Sequence, residues 1–336
     1  LMELLSARLE SAGMAKRTAQ IASVLGREIP YDLLSELAAA VGRKGLDADL
    51  QRLVDHGLTD IISNGYSYAF RHALIRDVAY DSQLRSVREK LHGKIVDLVD
   101  AKPALAEAMP DILLAEHCLA AGRIPRGTAL LLGVAEDALR RSALRAPRVM
   151  LERVLALSDT LAVDPDRDLQ QLRAITLLGP LVTLLDSPRA AAPLYEKGQI
   201  LYFSLPEAAR EAFFPVLWGW WFTSSNLVEQ TRRSEVLIRD VTPEADPESR
   251  LQALHCGWAT LFVGGAHARC LSTISDGLAL YDPQVGQSSR YRYGHDAKVC
   301  GLGERALCGW LTGQLEMSAA AVAECEDWAD HTAHLA

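Results

Sequence analysis

Residues 66–86 read Y-S-Y-A-F-R-H-A-L-I-R-D-V-A-Y-D-S-Q-L-R-S. Tyr66, Tyr68 and Phe70 alternate with small or polar residues, the period of a strand with one covered face. From Ala73 the period lengthens: Ile75, Val78 and Ala79 share one side of a helix. Arg71 and His72 stand at the join. The neighbouring segments follow from it. Upstream, Leu58 to Ile62 reads as a second strand and Asn64-Gly65 as the tight turn between the two. Before that come three helical patterns. Ile21, Val24 and Leu25 form an apolar stripe ended by Gly26. Leu33, Leu34, Leu37 and Val41 follow Pro30. Leu46, Leu50, Leu53 and Val54 recur at helical spacing up to Gly57.

Three helices and then a hairpin is the order of a winged helix, with the hairpin as the wing. Helices over 73–84 and 86–101 complete a first domain, 1–102. From 103 to 336 only helical patterns recur: 106–121, 125–143, 146–161, 166–185, 189–204, 207–225, 228–241, 247–263, 267–281, 295–313 and 316–334. The breaks between them carry turn chemistry, among them Gly122, Asp164-Pro165, Ser187-Pro188, Asp246-Pro247, Gly264-Gly265 and Asp282-Pro283. Helix pairs returning every 35–45 residues predict an α-solenoid close to the tetratricopeptide period, and W-L-T-G-Q-L-E-M-S-A-A at 310–320 approaches the core of such a repeat. The expected fold class is therefore mainly α: a winged-helix-like module followed by a solenoid of antiparallel helix pairs.

The chain has 336 residues, 49% hydrophobic and 23% charged, with a net charge of −8. Its length suits about two domains. The acidic balance argues against a surface built for phosphates. The third helix, the one a winged helix would lay on DNA, carries Asp47, Asp49 and Asp55 against Arg52. Arg71, Arg76, Arg85, Arg88, Lys90 and Lys94 make a basic run diluted by Asp77, Asp81 and Glu89, which reads better as a solvated or docking face. Six cysteines without a C-x-x-C pair lie in apolar helical stretches and read as reduced thiols of a cytoplasmic protein. No apolar run reaches the length of a membrane span, and the first residues read as an amphipathic helix, not a signal peptide. Both ends fall inside helical patterns, as expected of a segment of a longer polypeptide.

A-Q-I-A-S-V-L-G-R-E-I-P-Y-D-L-L at 19–34 and Y-A-F-R-H-A-L-I-R-D-V-A-Y at 68–80 resemble the region that follows the ATPase core in bacterial multidomain class III adenylate/guanylate cyclases with a STAND-type AAA ATPase and a tetratricopeptide-like tail. A-L-Y-D-P at 279–283, Y-G-H-D-A-K-V-C at 293–300 and A-L-C-G-W-L-T-G at 306–313 resemble a stretch of that tail. The chain departs from the family in having neither the cyclase domain nor a G-x-x-x-x-G-K-[ST] phosphate loop, so ATP or ADP would belong upstream of Leu1 and no cofactor is expected within the segment. The resemblance implies a non-catalytic sensor whose partners are the upstream ATPase and cyclase domains and a protein or small ligand on the repeats. A STAND-type transcriptional regulator, or a stand-alone repeat adaptor, would share these features.

The same resemblance implies that His72, with Arg71 or Arg76, senses nucleotide held upstream; the residues alone also allow His72 to cap the helix or pack on the hairpin. On the repeats, F-F-P-V-L-W-G-W-W-F at 213–222 holds three tryptophans that cannot share one helix face. Most should be core, with Trp218 or Trp221 a candidate for a ligand surface. Arg290, Arg292, His295 and Asp296 read as a loop and helix start, with Asp296 as a cap and Arg292 and His295 as candidate ligand contacts. His331 and His334 have i, i+3 spacing but no third metal ligand. No pair of carboxylates and no nucleophile motif points to catalysis.

Overall fold

The computed structural model describes residues 2–62, 67–141, 143–241 and 243–332. The Asn64-Gly65 turn and His334 lie outside them, as does the His331 side chain. Two compact units emerge, Leu1–Val134 and Ala135–Ala336.

The first unit runs α1 (Met2–Ser11), α2 (Ala15–Ser23), β1 (Glu28–Pro30), α3 (Tyr31–Ala40), α4 (Leu46–Asp55), β2 (Thr59–Ile62), β3 (Ser67–Phe70), α5 (Ala73–Asp81), α6 (Arg85–Ala101), α7 (Pro103–Ala108) and α8 (Asp111–Ala120). The division falls within α9 (Ile124–Arg140). The expected hairpin is β2–β3, paired antiparallel with Thr59 opposite Phe70 and Ile61 opposite Tyr68. The sequence reading missed β1, which makes β3 the central strand by placing Ile29 opposite Tyr68. Three residues ending in proline give no period to detect; Pro30 ends the pairing and precedes α3. Phe70 and Ile29 are fully buried with Leu34, Leu37, Leu50, Leu53 and Ile75 in one core.

The boundary expected at residue 102 moves. Helix α8 packs on α6, and Leu114 and Cys118 join the same core, so 103–134 belongs with the first unit. The single helix expected over 106–121 is two, because Pro110 cannot extend α7 and instead precedes α8. Asp49, counted above as surface acidity, is buried: Arg43 donates to it from Nε at 2.9 Å, and the Thr18 hydroxyl donates at 2.5 Å. The outward acids of α4 are thus Asp47, which accepts from the Tyr31 hydroxyl, and Asp55.

The second unit contains α10 (Arg145–Ser158), α11 (Pro165–Leu185), α12 (Pro188–Ser204), α13 (Phe214–Phe222), α14 (Leu227–Asp240), α15 (Pro247–Val263), α16 (His267–Leu278), α17 (Pro283–Tyr293), α18 (Ala297–Leu311) and α19 (Leu315–Thr332). From α10 to α16 each helix packs on the next, then α16 on α18 and α18 on α19. Contacts that reach past the next helix join α11 to α13, α13 to α15 and α15 to α18, so these four form one continuous layer. That is the solenoid principle: each pair buries its apolar face against its neighbours.

Several predicted breaks are helix starts. Asp164, Ser187 and Asp246 each accept a hydrogen bond from the backbone N–H three residues on, with proline at the next position, where no N–H is required. Asp282-Pro283 opens a helix as well: the Asp282 side chain accepts from the Gln284 N–H and α17 begins, where the sequence reading had a loop up to 295. The helix expected over 207–225 is two short 3-10 turns followed by α13, with Pro215 in its first turn.

Trp220 points away from its neighbours 218 and 221. Its indole donates to Glu196 at 3.0 Å, and its ring lies 4.6 Å from the guanidinium of Arg233. Arg233 is buried and also donates to Glu229, Glu196 and the Trp220 carbonyl, tying α12, α13 and α14 together. Among the described residues, replacing Arg233 with Ala leaves that carbonyl only the Thr223 hydroxyl at 3.3 Å, Glu229 only Arg232 and Glu196 only the Trp220 indole. A loss of about 2 kcal/mol is expected, below the ~3–5 of a fully buried pair because water reaches the acids. Urea denaturation measures it, and a loss under ~0.5 kcal/mol would assign the network no structural role.

Candidate functional site

In the layer of α13, α15 and α18, helical spacing puts Trp218, Trp221 and Phe222 on one face of α13. Trp218 is half-buried at the centre of a ring cluster. It stacks on His295 (centroids 5.1 Å, 20°) and on Phe222 (5.1 Å, 14°), and meets Tyr293 edge-on at 6.0 Å. His255 of α15 lies beneath, its ring stacked 4.4 Å from that of His295. The Trp218 indole donates to His255 Nδ1 at 3.4 Å. Trp221 is core: it is buried, and its indole donates to the Thr260 hydroxyl at 2.9 Å.

The turn from α17 into α18 sets the other wall. Gly294 has φ +78, a left-handed geometry that spares glycine the strain of a Cβ and lets the chain reverse after Tyr293. Asp296 caps α18 by accepting from the N–H groups of Lys298 and Val299, and it also accepts from the Tyr281 hydroxyl at 2.9 Å. His295 is thereby fixed between them. Its Nδ1 lies 3.3 Å from the Tyr293 carbonyl, which can only accept, so Nδ1 carries a proton and Nε2 a lone pair.

Burial governs the electrostatics. The His255 imidazole is held well below its usual value, first by desolvation and then by His295, so it is neutral at pH 7. The Cys300 thiol is pushed up to about 12 and the Glu304 carboxyl to about 7, both chiefly by burial. A thiol held so high is no nucleophile at neutral pH. The chemistry this site offers is aromatic stacking and ligation. One ligand atom from each of His255, His295 and Cys300 lies within 4.8 Å of the other two.

The structure therefore brings together Trp218, Trp221 and His295 of the sequence-stated candidates. Arg292 is exposed at the end of α17, and the Arg290 side chain is outside the described residues. His255, Tyr293 and Cys300 were not singled out: a lone histidine and a lone cysteine in apolar helices carry no local signal. In the first unit, His72 is exposed and stands at the N-cap of α5 without a side-chain capping bond. Arg71 pairs with Asp60 of β2, its Nε 3.1 Å from one carboxylate oxygen and 3.2 Å from the other. Arg76 donates to the Ser23 carbonyl at 2.9 Å and covers the Tyr80 ring. The two guanidinium groups are thus engaged on different elements. A separate open cleft of about 460 Å³ is lined by Tyr80, Arg85, Arg88, Glu89, Leu119 and Ile124.

No family model matches the chain. An uncharacterized protein of Rhizobium meliloti (strain 1021) is 34% identical over 336 residues, a match covering 98% of this chain and 33% of that protein. The chain thus spans about a third of the length of the curated relative it matches. Among solved structures, it is similar to a Podosopora anserina kinesin light chain protein with nearly identical TPR-like repeats, at 17% identity and TM-score 0.45, covering 62% of this chain and 97% of the other. A signal-transduction ATPase with numerous domains and a tetratricopeptide repeat sensor, from Pyrococcus horikoshii, matches at 12% identity and TM-score 0.45, over 95% of this chain and 50% of that one. Among the described residues no helix is long and apolar enough to cross a membrane.

Proposed function

We propose that the chain is the sensor and relay segment of a longer cytoplasmic signalling ATPase: helical repeats that bind a ligand, joined to a winged-helix adaptor that communicates with an ATPase core. The observation that carries this is the layer of α11, α13, α15 and α18, with its half-buried aromatic and histidine cluster. Stacked repeats of this kind present extended concave surfaces suited to binding. The adaptor reading rests on the succession α2–β1–α3–α4–β2–β3 with strand order β1-β3-β2, which is winged-helix order. The resemblance of 19–34 and 68–80 to the region after a STAND ATPase core supports the link to nucleotide, and the greater length of the Rhizobium relative fits a segment of a larger protein.

On this reading a ligand on the repeats shifts the balance between two arrangements of the ATPase by its difference in affinity for them. The output would be cyclic-nucleotide synthesis by an upstream cyclase domain. His72, exposed at the start of α5, is the residue expected to meet the nucleotide phosphates. The test uses the intact protein. His72→Ala is expected to release co-purifying ADP that the wild type retains, without changing the thermal melt. Unchanged ADP retention would remove His72 from nucleotide sensing. Absence of a phosphate-loop motif from the full reading frame would overturn the ATPase reading, and a helix-turn-helix output domain in place of a cyclase would replace the proposed output.

A further inference from the structure

We propose that His255, His295 and Cys300 bind one zinc ion, and that the ion displaces Trp218 from His255. The inference deepens the sensor reading by naming a ligand class for the repeat cluster. It rests on that reading only for the signalling consequence, since binding itself is a property of this chain.

The donor set is the first argument. Two imidazole nitrogens and one thiol sulfur make a borderline-soft site, which suits zinc and disfavours magnesium or calcium, whose ligands are oxygens. The geometry is the second. Zinc bonds of ~2.0–2.3 Å place tetrahedral ligand atoms roughly 3.3–3.8 Å apart. The three ligand atoms already lie within 4.8 Å of one another, so about an ångström of approach closes the site. Small rotations of three side chains can supply that. The third argument is pre-organisation. The Tyr293 carbonyl accepts from His295 Nδ1 at 3.3 Å, leaving Nε2 as the donor atom, the arrangement in which a second-shell acceptor fixes a ligating imidazole. Asp296 pins the same turn by capping α18. Three protein ligands leave a fourth position for water or a ligand group.

Trp218 follows from hydrogen-bond accounting. A neutral imidazole has one lone pair and one N–H. In this structure the His255 lone pair is at Nδ1, where it accepts from the Trp218 indole at 3.4 Å. Ligation through Nδ1 consumes that lone pair; ligation through Nε2 requires the proton to sit on Nδ1. Either way the indole loses its acceptor. At Cys300 the S–H proton leaves to solvent as sulfur takes the cation, so each zinc bound releases one proton and no electron moves. Binding at a partly buried site is thereby converted into movement of a half-buried indole on α13.

Cobalt(II) titration of the purified chain tests this, cobalt serving as the spectroscopic substitute for zinc. One equivalent is expected to give the visible bands of a tetrahedral site, a sulfur-to-cobalt charge-transfer band and a change in tryptophan emission; zinc should erase both sets of bands while itself producing an emission change. Cys300→Ser should abolish the charge-transfer band. His295→Ala should weaken binding more than ~100-fold, since outer-shell changes alone cost ~10–100-fold. Trp218→Phe should keep the charge-transfer band and lose most of the emission change. Thermal melts of the metal-free variants check their folding. Absence of the charge-transfer band in the wild type overturns the proposal without recourse to any variant. So does a band that survives Cys300→Ser, which would assign it to one of the other five cysteines. Either result leaves the ADP-retention test untouched, so the two readings fail separately.

Discussion

Gly219→Ala is expected to destabilise the second unit by about 3 kcal/mol. Two effects oppose each other. In an exposed helix interior the change would stabilise, because alanine is favoured over glycine by ~1 kcal/mol. At Gly219 the added Cβ would lie 2.1 and 2.2 Å from two ring carbons of Tyr195. The ring cannot retreat: a Cβ on Gly179, across from it on α11, would lie 2.5 Å from the same side chain. Tyr195 of α12 is buried, held between two glycines, and the three helices approach as closely as they do because neither partner has a side chain there. Overpacking costs ~1–3 kcal/mol and sometimes more. A rigid ring with no exit puts this case at the upper end, and the clash outweighs propensity.

The sign is the sharper test. With Tyr195→Ala already present the space is open, and adding Gly219→Ala should be neutral or stabilising by up to ~1 kcal/mol. Gly303→Ala on α18, where a Cβ meets nothing within 4 Å, should stabilise in any background. Urea midpoints at unchanged slope measure all of these. A Gly219→Ala midpoint at or above wild type would show that α11–α13 do not pack around Tyr195 in this way.

That packing also marks what the sequence discloses. The aromatic run at 213–222 announced an α13 whose tryptophans face two ways, and the period from Ile75 to Leu98 gave α5 and α6, because these signals are local. The hairpin was legible from its alternation. The third strand was not, since Glu28–Pro30 takes its meaning only from pairing with β3. Helix α17 was hidden because Asp-Pro both breaks a helix and starts one, and S-S-R-Y-R-Y-G-H has no apolar stripe. At the candidate site, Trp218, Trp221 and His295 were named from composition. His255 and Cys300 could not be, because their proximity is made by two helices packing across 45 residues of chain. Arg292 was named for its charge and is exposed at the end of α17.

In the first unit, a fall in pH from 7 to 4.5 is expected to cost on the order of 3 kcal/mol through one pair of histidines. His92 of α6 and His117 of α8 are both buried, with their Nδ1 atoms 2.8 Å apart, and the Tyr80 hydroxyl lies 3.0 Å from His92 Nε2. With both rings neutral the chain of bonds can run in either direction. Either the tyrosine donates to His92 Nε2 and His92 Nδ1–H donates to His117, or His117 Nδ1–H donates to His92, whose Nε2–H then donates to the tyrosine. Protons on both rings at once would place two Nδ1–H groups face to face. Both imidazoles are held well below the ordinary value, to about 4, with burial the leading cause. The neighbouring ring and the cations of Arg76 and Arg88 depress His92 further, while Glu116 pulls His117 the other way.

The direction follows from proton counting. Unfolded histidines bind protons near pH 6.5 and the folded pair does not, so the unfolded chain takes up more protons throughout the window from ~6.5 to ~4. The stabilisation is complete above 6.5 and is lost as pH falls towards 4. Carboxylates enter later: Arg71 holds Asp60, and Arg126 holds Asp100, below the usual carboxylate value, so those pairs persist through this window. Replacing both rings by glutamine, which hydrogen-bonds but does not titrate, should flatten the dependence between pH 7 and 4.5, whatever it does to stability at pH 7. If the double variant keeps the wild-type slope, the α6–α8 contact does not depend on neutral histidines, and its acid sensitivity must be sought in the ion pairs.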